Sequence, residues 1–311
     1  MYKIGEVIRR TRESLGIKQK DLCIGICDEA TLCRIENGRQ TPSRITLQAL
    51  MERMGKNGER YFPYVINGPM DLLIMREEIS SLVGNRRYVE ANQKLSEFKK
   101  KVNINDKVNQ QFIIREAALI DYRMGKISLD EKRTRLIDAL KCTVPCFDGE
   151  VMPKSLFSRG EIFLFCNIAV TYAEENDFDT ALRMLYQIKE YFDNTHIDLE
   201  EKSVSESFVL SNLGRCLGRN GEREEAIKVE NEAIELCIDY GKSNILPSLL
   251  FNISYEIHEL YNENNYGKKK LAQAYYIAEF NGNELLMDHI KKYIFDNYGM
   301  CSINQLVSSM K

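Results

Sequence analysis

The stretch CDEATLCRIENGRQTPS, residues 27 to 43, carries the pattern that decides the fold of the region around it. Asp28 is a preferred helix-capping residue, and Gly38 suits the left-handed conformation that commonly ends a helix. Between these two residues, Leu32 and Ile35 are spaced so that both face one side of a helix. The pattern therefore predicts a short helix with one buried face and an opposite face open to solvent.

The open face of this short helix carries Glu29, Ala30 and Arg34, roughly one turn apart. In a helix-turn-helix unit, the second helix presents its outward face to base edges while its inner face packs on the first two helices. Gln19 begins the preceding helix, where its backbone amides and side chain can meet a phosphate. The spacing therefore predicts a helix-turn-helix. Arg34 is interpreted as a base or phosphate contact, with a solvated surface charge as the alternative.

Short helices are predicted on both sides of this unit. Apolar residues at helical spacing run from Ile4 to Leu15 and from Ile45 to Met54, and a glycine follows each run. The next stretch, KNGERYFPYVINGPMD, holds two Asn-Gly turns and two prolines, which is typical of a linker. The predicted organisation is a helix-turn-helix head at residues 1–60, a linker at 61–70 and a second domain at 71–311.

Charge is unevenly distributed along the chain. Residues 1–60 hold twelve Lys and Arg against eight Asp and Glu, which gives this head a net charge of +4. The whole chain of 311 residues has a net charge of −3, so the remainder carries −7. A basic head on an acidic body predicts that only the head meets a polyanion such as double-stranded DNA.

Other features of the sequence argue against whole classes of protein. No apolar run reaches the roughly 18 residues that a membrane span needs, and the charged N-terminal stretch lacks a signal-peptide segment. We therefore expect a cytoplasmic protein with no membrane partner. The nine cysteines follow no zinc-like spacing, and the CxxxC pairs Cys23/Cys27 and Cys142/Cys146 are interpreted as small buried thiols. Because no nucleophile, metal cluster or glycine-rich phosphate loop is recognisable, we predict no enzyme, no catalytic residues, no metal and no cofactor.

Beyond the linker, the chain repeats a unit of helix, short polar turn and helix. The segment CNIAVTYAEENDFDTAL at 166–182 superposes on SNLGRCLGRNGEREEAI at 211–227, with small residues twelve positions apart in both. Small residues where two helices cross closely are typical of a tetratricopeptide (TPR) repeat. The sequence therefore predicts an all-α fold with a TPR-like α-solenoid after the head. The repeats at 105–145 and after 261 could not be placed in register.

An asparagine precedes a hydrophobic residue at the same register of three repeats, at Asn167, Asn212 and Asn252. The first helices of the pairs line the concave side of such a superhelix, so the register predicts a row of amides along one groove. Each carboxamide can pair with both the C=O and the N–H of an extended peptide bond. The alternative is that these amides only bond neighbouring helices.

Further side chains are expected on the same concave face. Phe163 and Phe208 lie four positions before an asparagine, and Tyr255 lies three positions after one, so we predict them as apolar walls. Arg215 shares the register of Tyr255 and suits a peptide carboxylate. Together these residues predict a groove for a short peptide.

Three spaced motifs in the head agree with one known pattern. They are Arg12 in the first helix, Gly16-Ile17-Lys18-Gln19 before the second, and Ile35-Glu36-Asn37-Gly38 at the end of the third. Together they resemble the phage-repressor-like (XRE, or Cro/C1) helix-turn-helix family over residues 3–55. The resemblance implies a five-helix, lambda-repressor-like domain with base contacts from Glu29, Ala30 and Arg34 and phosphate contacts from Gln19, Asn37 and Arg39. Glu36 is interpreted as a structural partner of Arg12 or Arg10, with a DNA contact as the alternative.

The join of this head to TPR-like repeats resembles the RRNPP group of peptide-sensing quorum regulators, as does the stretch EAIELCIDYGKSNILPSLLFNISYEI at 232–257. That resemblance implies a transcription regulator that forms a homodimer through its repeat domain and binds an inverted-repeat operator. It also implies a short signalling peptide held by the groove asparagines. The alternative function is a TPR scaffold that docks a partner protein while its head binds DNA constitutively.

Overall fold

The structure is a computed structural model, which describes residues 4–64, 70–103, 105–241, 244–262 and 264–310. Within these ranges every regular element is helical, which confirms the predicted all-α class. In chain order the α-helices are α1 (Ile4–Ser14), α2 (Gln19–Cys23), α3 (Glu29–Glu36), α4 (Arg44–Arg53), α5 (Met70–Gly84), α6 (Tyr88–Lys101), α7 (Lys107–Arg123), α8 (Leu129–Thr143), α9 (Arg159–Glu174), α10 (Phe178–Asn194), α11 (Leu199–Arg219), α12 (Arg223–Asp239), α13 (Leu246–Tyr261), α14 (Asn265–Phe280), α15 (Glu284–Tyr298) and α16 (Ile303–Ser308).

The chain divides into two compact units. The first consists of Met1–Glu175 with Glu190–Glu201, and the second of Asn176–Lys189 with Lys202–Lys311. The head predicted at 1–60 and the first repeats therefore belong to one unit. The boundaries predicted around the linker stay a prediction, and residues 65–69 of that linker lie outside the described residues.

Side-chain caps and a glycine set the ends of the short helices in the head, as the sequence predicts. The backbone N–H of Thr31 donates to Asp28 Oδ1 at 2.5 Å, and Asp28 thereby caps α3. Ser43 caps α4 in the same way by accepting from the Thr46 N–H at 3.0 Å. Gly38, just past the end of α3, has a φ of 69°, a conformation that a side chain would strain.

The core of the head lies between α1, α2, α3 and α4. Ile8, Leu22, Leu32 and Leu47 are all fully buried there. The first and third helices approach very closely at Gly5, where a Cβ atom would lie 1.8 Å from the Ile35 carbonyl oxygen. Among the described residues up to Tyr64, the element after α4 is a 3₁₀ helix at Gly58–Tyr64, in the place where the resemblance implies a fifth helix.

The repeats of the first unit pack as consecutive helix pairs. Helix α5 packs on α6, and α7 packs on α8, with short turns joining the members of each pair. The apolar core of α5 to α7 includes Ile79, Leu95 and Phe98, and the rings of Phe98 and Phe112 meet edge to face at 5.4 Å between centroids. Region 105–145, which could not be placed in register from the sequence, forms a regular pair of this kind.

The second unit shows the close helix crossing that the repeat pattern predicts. Helices α12, α13 and α14 pack consecutively, and α11 contributes two glycines that face acidic side chains. A Cβ atom on Gly214 would lie 2.4 Å from Glu230 Cγ, and one on Gly218 would lie 2.1 Å from Glu256 Oε1. Only glycine leaves room for these two carboxylic side chains against the helix backbone.

Two further observations concern membrane-spanning helices and the cysteines. Within the described part of the chain, no helix combines the length and the apolar character needed to cross a membrane. All nine cysteines fall in that part and are free thiols. Of the four cysteines predicted to be buried, Cys23 is buried and Cys27 and Cys142 are half-buried. The prediction is wrong for Cys146, which is exposed because it lies in the turn after α8.

Candidate functional site: an exposed helix and a repeat groove

The position of α3 is fixed by a buried ion pair to α1. Arg12 donates from Nε to Glu36 Oε1 at 2.6 Å and from Nη2 to Glu36 Oε2 at 2.8 Å. The hydrogen bonds to Glu36 raise the pKa of the Arg12 guanidinium. Arg12 Nη1 also donates to the Ile17 carbonyl at 2.9 Å, which ties the turn before α2 to the same group. The interpretation of Glu36 as a structural partner of Arg12 is confirmed.

The outward face of α3 is open to solvent. Glu29, Ala30 and Arg34 are all exposed, as the helical spacing predicts. Arg34 donates to Thr31 Oγ1 at 2.7 Å and to Gln40 Oε1 at 3.1 Å, and both contacts lie at the surface. Since exposed contacts of this kind are worth little, Arg34 can leave them for an anionic or polar partner.

The three residues predicted to contact phosphates differ in the exposure and hydrogen bonding of their side chains. Arg39 and Asn37 are exposed, although Asn37 Nδ2 donates to the Cys33 carbonyl at 2.8 Å. Gln19 is half-buried, and its Nε2 donates to Glu36 Oε2 at 2.6 Å. The side chain of Gln19 therefore takes part in the Arg12–Glu36 network, and its phosphate contact stays a prediction.

In the first unit, the predicted groove residues lie on α9. Phe163 and Asn167 are both half-buried and lie one turn apart. Phe163 also lines a cavity of about 240 Å³ that α4, α5, α7 and the start of α9 enclose. This cavity is a feature that the sequence pattern did not indicate.

In the second unit, Asn212 and Arg215 lie together on α11. Asn212 is 8% exposed, and its Nδ2 donates to the Phe208 carbonyl of the same helix at 2.8 Å. Arg215 is exposed and donates from Nη2 to Asn212 Oδ1 at 2.8 Å. The Asn212 carboxamide is thus occupied within its own helix, and it must exchange these bonds to bind a peptide.

Asn252 on α13 has a different environment. Among the described residues, its Nδ2 is buried without a hydrogen bond of normal geometry, and both carboxyl oxygens of the fully buried Glu230 also have none. Burial raises the pKa of Glu230 well above its ordinary value, an effect that the nearby Asn252 side chain opposes. The Asn252 amide is thus placed beside the Glu230 carboxyl group, and its contact with a peptide stays a prediction.

Aromatic rings from α13 and α15 surround Tyr255. Tyr255 is 37% exposed, and its ring centroid lies 6.0 Å from that of Tyr293, whose hydroxyl is buried with no hydrogen-bond partner in the part of the chain that the structure describes. His258 packs between Tyr293 and Tyr298, with centroid distances of 6.1 and 5.1 Å. The role of Tyr255 as an apolar wall for a peptide stays a prediction. The cluster also contains α15 residues that the repeat register did not reach.

The three predicted asparagines all lie on first helices of their pairs, α9, α11 and α13. Asn167 belongs to the first unit, whereas Asn212 and Asn252 belong to the second. A single row of amides joining all three stays a prediction.

Sequence reasoning missed a buried arginine that joins the head to the repeats within the first unit. Arg53, at the end of α4, is 3% exposed and forms an ion pair with Glu161 at 2.5 Å. The same guanidinium donates to the carbonyls of Leu22, Ile24 and Thr143. Glu161 also accepts from the Ser158 N–H at 2.7 Å, and the Ser-x-x-Glu spacing of this capping box is visible in the sequence.

A second charged contact lies beside the first. Arg159 forms two hydrogen bonds to Glu201 at 2.8 and 2.5 Å, and its backbone N–H donates to Glu52 Oε2 of α4 at 3.0 Å. Burial raises the pKa of Glu52 to about 7, while Arg159 opposes the shift. The head therefore meets the repeats through charged groups that are buried or half-buried.

Comparison with known proteins gives the fold. No protein-family model matches the chain, and a search of curated protein sequences found no match. A solved structure of Bacillus thuringiensis PlcR in complex with the peptide PapR7 and DNA is similar, with 20% identity, a TM-score of 0.63, and coverage of 93% of this chain and 99% of PlcR. ComR from S. thermophilus in complex with DNA and its signalling peptide ComS is similar at 16% identity and a TM-score of 0.54, covering 96% of this chain and 100% of ComR.

The apo form of ComR from Streptococcus vestibularis is also similar, at 14% identity and a TM-score of 0.53, over 95% of this chain and 98% of that one. These likenesses extend over the head and the repeats together. They confirm the predicted fold, a helix-turn-helix head followed by TPR-like repeats, and the predicted resemblance to quorum regulators at the level of fold.

Proposed function

We propose that this chain is a cytoplasmic DNA-binding transcription regulator whose activity is controlled by a short signalling peptide bound in its repeat domain. The observation that carries the proposal is the exposed face of α3, which the buried Arg12–Glu36 pair holds on a basic head. Likeness in fold to PlcR and ComR, both solved in complex with DNA and a peptide, supports the same function.

DNA recognition in this proposal uses two chemically distinct sets of residues. Arg34 contacts base edges or nearby phosphates from the outward face of α3, together with Glu29 and Ala30. Gln19, Asn37 and Arg39 contact phosphates, which fixes the register of the head on the duplex without reading its sequence. A homodimer would place two such heads on an inverted-repeat operator, with half-sites separated by roughly 34 Å per helical turn.

Control by a peptide requires that the peptide bind two arrangements of the protein with different affinities. A peptide that binds one arrangement of the two protomers better than another shifts the population toward that arrangement and alters the spacing of the two α3 helices. We place the peptide against Asn167, Asn212 and Asn252, with Arg215 on a carboxylate and Phe163, Phe208 and Tyr255 as walls.

DNA binding is tested with an operator selected from random duplexes, followed by fluorescence anisotropy on the Arg34→Ala variant. We expect binding to weaken by about 1–3 kcal/mol, because a bidentate base contact is lost, while helicity is retained. Arg87→Ala is the matched control, since Arg87 is an exposed arginine of the repeats that pairs with Glu90 at the surface. Equal operator affinity of Arg34→Ala and wild type would remove Arg34 from the readout.

A second candidate function, a scaffold with constitutive DNA binding, is favoured by one observation. Because Asn212 already bonds within its own helix, its amide can serve structure alone. Asn231 of α12 makes the same kind of bond, from its Nδ2 to the Ile227 carbonyl at 2.8 Å, and so provides a matched control.

The two candidates are separated by identifying peptides that co-purify with the protein and measuring their affinity for Asn212→Ala and Asn231→Ala. Loss of peptide binding in Asn212→Ala alone supports peptide control. Unchanged peptide affinity in both variants, with loss of a protein partner from Asn212→Ala, supports the scaffold.

A further inference from the structure

We propose that four lysines where α6 ends and α7 begins, Lys99, Lys100, Lys101 and Lys107, form a second contact with the DNA backbone beside the α3 surface. We call these residues the lysine strip. The contact rests on the proposed function, because it extends the DNA interface from the head to the first repeats. Its partner is the phosphate backbone of a duplex, so it adds affinity without reading the sequence.

The lysine strip concentrates positive charge on a body that is otherwise acidic. Residues 99–107, KKKVNINDK, hold four lysines against one aspartate, a net charge of +3, whereas residues 61–311 as a whole carry −7. All four lysines are exposed. The one acid, Asp106, is already engaged, because its Oδ1 accepts from the Val108 N–H at 3.0 Å and the Asn109 N–H at 3.1 Å.

The strip lysines lack the acidic partners that other lysines of the repeats have. Within the ranges that the structure describes, none of the four forms an ion pair with a carboxylate. Lysines elsewhere in the repeats do form such pairs, for example Lys94–Glu78, Lys126–Asp121 and Lys189–Glu232. The four charges of the strip are therefore open to an external polyanion.

Helix electrostatics explains the position of three of these lysines but not of the fourth. Lys99, Lys100 and Lys101 lie in the last turn of α6, where the helix dipole favours positive charge. Lys107 is the first residue of α7, at the end where the dipole disfavours positive charge. A phosphate bound at Lys107 would offset this unfavourable placement.

The start of α7 lies beside the turn that leads into α3, within the first unit. Val108, which follows Lys107, belongs to one apolar cluster with Ile26 and Ile45. Ile26 stands three residues before α3, and Ile45 is the second residue of α4. Burial raises the pKa of Cys27, also in that turn, to about 12, and the charge of Asp106 adds to the increase. The start of α7 is thus close to the N-terminal end of α3.

Contacts of α8 place Lys107 at the same point. A Cβ atom on Gly25 would collide with the Thr143 backbone, so the turn before α3 touches the end of α8. Burial raises the pKa of the neighbouring Cys142, and the charge of Lys107 opposes that shift, which brings Lys107 near the same residues.

This position suits a contact with the DNA backbone. The N-terminal residues of a recognition helix contact base edges in the major groove, and phosphates line both sides of that groove. A cation beside the N-terminal end of α3 therefore faces one of the two backbones. The ammonium group of lysine, on its flexible stem, binds phosphate as a point charge and needs no fixed geometry.

The contact is tested by fluorescence anisotropy of the full chain on a labelled random-sequence duplex of about 40 base pairs, because phosphate contacts need no operator. The strip variant combines Lys99→Gln, Lys100→Gln, Lys101→Gln and Lys107→Gln. We expect its affinity at about 100 mM salt to fall about tenfold to one-hundredfold. We also expect the slope of log affinity against log salt to become shallower by about 2–3, since each lost phosphate contact removes about 0.9.

A matched control removes the same charge from the opposite ends of the same two helices. It combines Arg86→Gln, Arg87→Gln, Arg123→Gln and Lys126→Gln, all at exposed residues. Helix α7 has 17 residues and is about 25 Å long, well beyond the screening length of about 10 Å at this salt concentration. The control should therefore keep the wild-type slope, and equal losses in the control and the strip variant would overturn the proposal.

Two further variants separate a phosphate contact from a structural role. Replacement of the four strip lysines by arginine keeps the charge and should keep the affinity. Lys107→Gln alone removes an unfavourable charge from the start of α7, so it should unfold at the wild-type temperature or higher while the salt slope becomes shallower by about 0.9. A lower unfolding temperature of Lys107→Gln, or an unchanged slope in the strip variant, would overturn the proposal.

Sedimentation with phosphatidylglycerol vesicles tests the other anionic surface that a lysine strip could meet. We expect wild type and the strip variant to behave alike with vesicles. If the strip variant loses vesicle binding and keeps its DNA affinity, the strip serves a membrane surface and the proposal is wrong.

Arg39→Gln, measured on the same duplex, distinguishes failure of the strip from failure of the proposed function. Weaker binding by Arg39→Gln with wild-type binding by the strip variant overturns the strip and leaves the regulator standing. Weaker binding by the strip variant alone supports the strip and removes Arg39 from the phosphate contacts. Absence of duplex binding by wild type overturns both.

Discussion

Replacing Arg53 with methionine should be among the most destabilising single changes in the first unit. The substitution keeps most of the side-chain length but removes the guanidinium, and with it the ion pair to Glu161 and the hydrogen bonds to three backbone carbonyls. The Glu161 side chain is 1% exposed, so its charge would remain buried without a partner. Breaking a buried pair in this way costs about 3–5 kcal/mol.

The carbonyl groups add to that cost. Each carbonyl that stays buried without a donor contributes on the order of 1 kcal/mol, although these contributions do not add fully to that of the ion pair. We therefore expect the free energy of unfolding to fall by about 5 kcal/mol in Arg53→Met, a large share of the 5–15 kcal/mol typical of a domain.

Urea unfolding followed by far-ultraviolet circular dichroism measures this loss, and a double-mutant cycle with Glu161→Gln isolates the pair. Glutamine keeps an acceptor for the Ser158 N–H, so the cycle removes charge more than capping. We expect a coupling free energy of about 2–3 kcal/mol. Lys56→Met is the control, since the Lys56–Asp198 pair is partly exposed and should be worth at most about 1 kcal/mol.

Two results would refute the assignment of Arg53 as the main anchor of the head. The first is a loss in Arg53→Met no greater than that in Lys56→Met. The second is an additive cycle, in which the effects of Arg53→Met and Glu161→Gln simply sum.

Three further predictions follow from buried groups. Because the pKa of Glu52 rises from 4.5 to about 7 on folding, the native state binds its proton more tightly and stability falls by up to about 3 kcal/mol as pH rises across that interval. Glu52→Gln should remove this part of the fall in urea titrations, and an unchanged pH profile would contradict it. Gly5→Ala should lower the free energy of unfolding by about 3 kcal/mol or more, since its Cβ would collide with the Ile35 carbonyl. A loss near zero in the same urea titrations would mean that α1 and α3 separate freely. The raised pKa of Glu230 predicts that Glu230→Gln stabilises the chain more at about pH 8 than at about pH 5, and equal gains would contradict it.

The sequence predicts those features that depend on neighbours within a few positions. Asp28 and Gly38 mark the ends of α3 because capping and left-handed turns are local. The pairing of Arg12 with Glu36 was also predicted, since the helix-turn-helix pattern already brings α1 and α3 together. The exposed face of α3 follows from the helical period alone.

Features that depend on distant contacts were not predictable in this way. Arg53 and Glu161 are 108 positions apart, and helical periodicity indicates only that each faces inward. The repeat register placed Asn212 on the correct helix but gave no sign that its amide bonds to the turn before it.

The buried Arg53–Glu161 ion pair limits how freely the helix-turn-helix head can be exchanged between repeat domains. Arg53 belongs to the head and Glu161 to the repeats. A graft of the head onto another repeat domain would therefore separate the two residues. A chimera joined in the linker would leave the Arg53 guanidinium without Glu161 and without the Thr143 carbonyl, the two partners that the repeats supply. Exchange of heads between proteins of this architecture therefore requires the head to be moved together with the first repeats of its own chain.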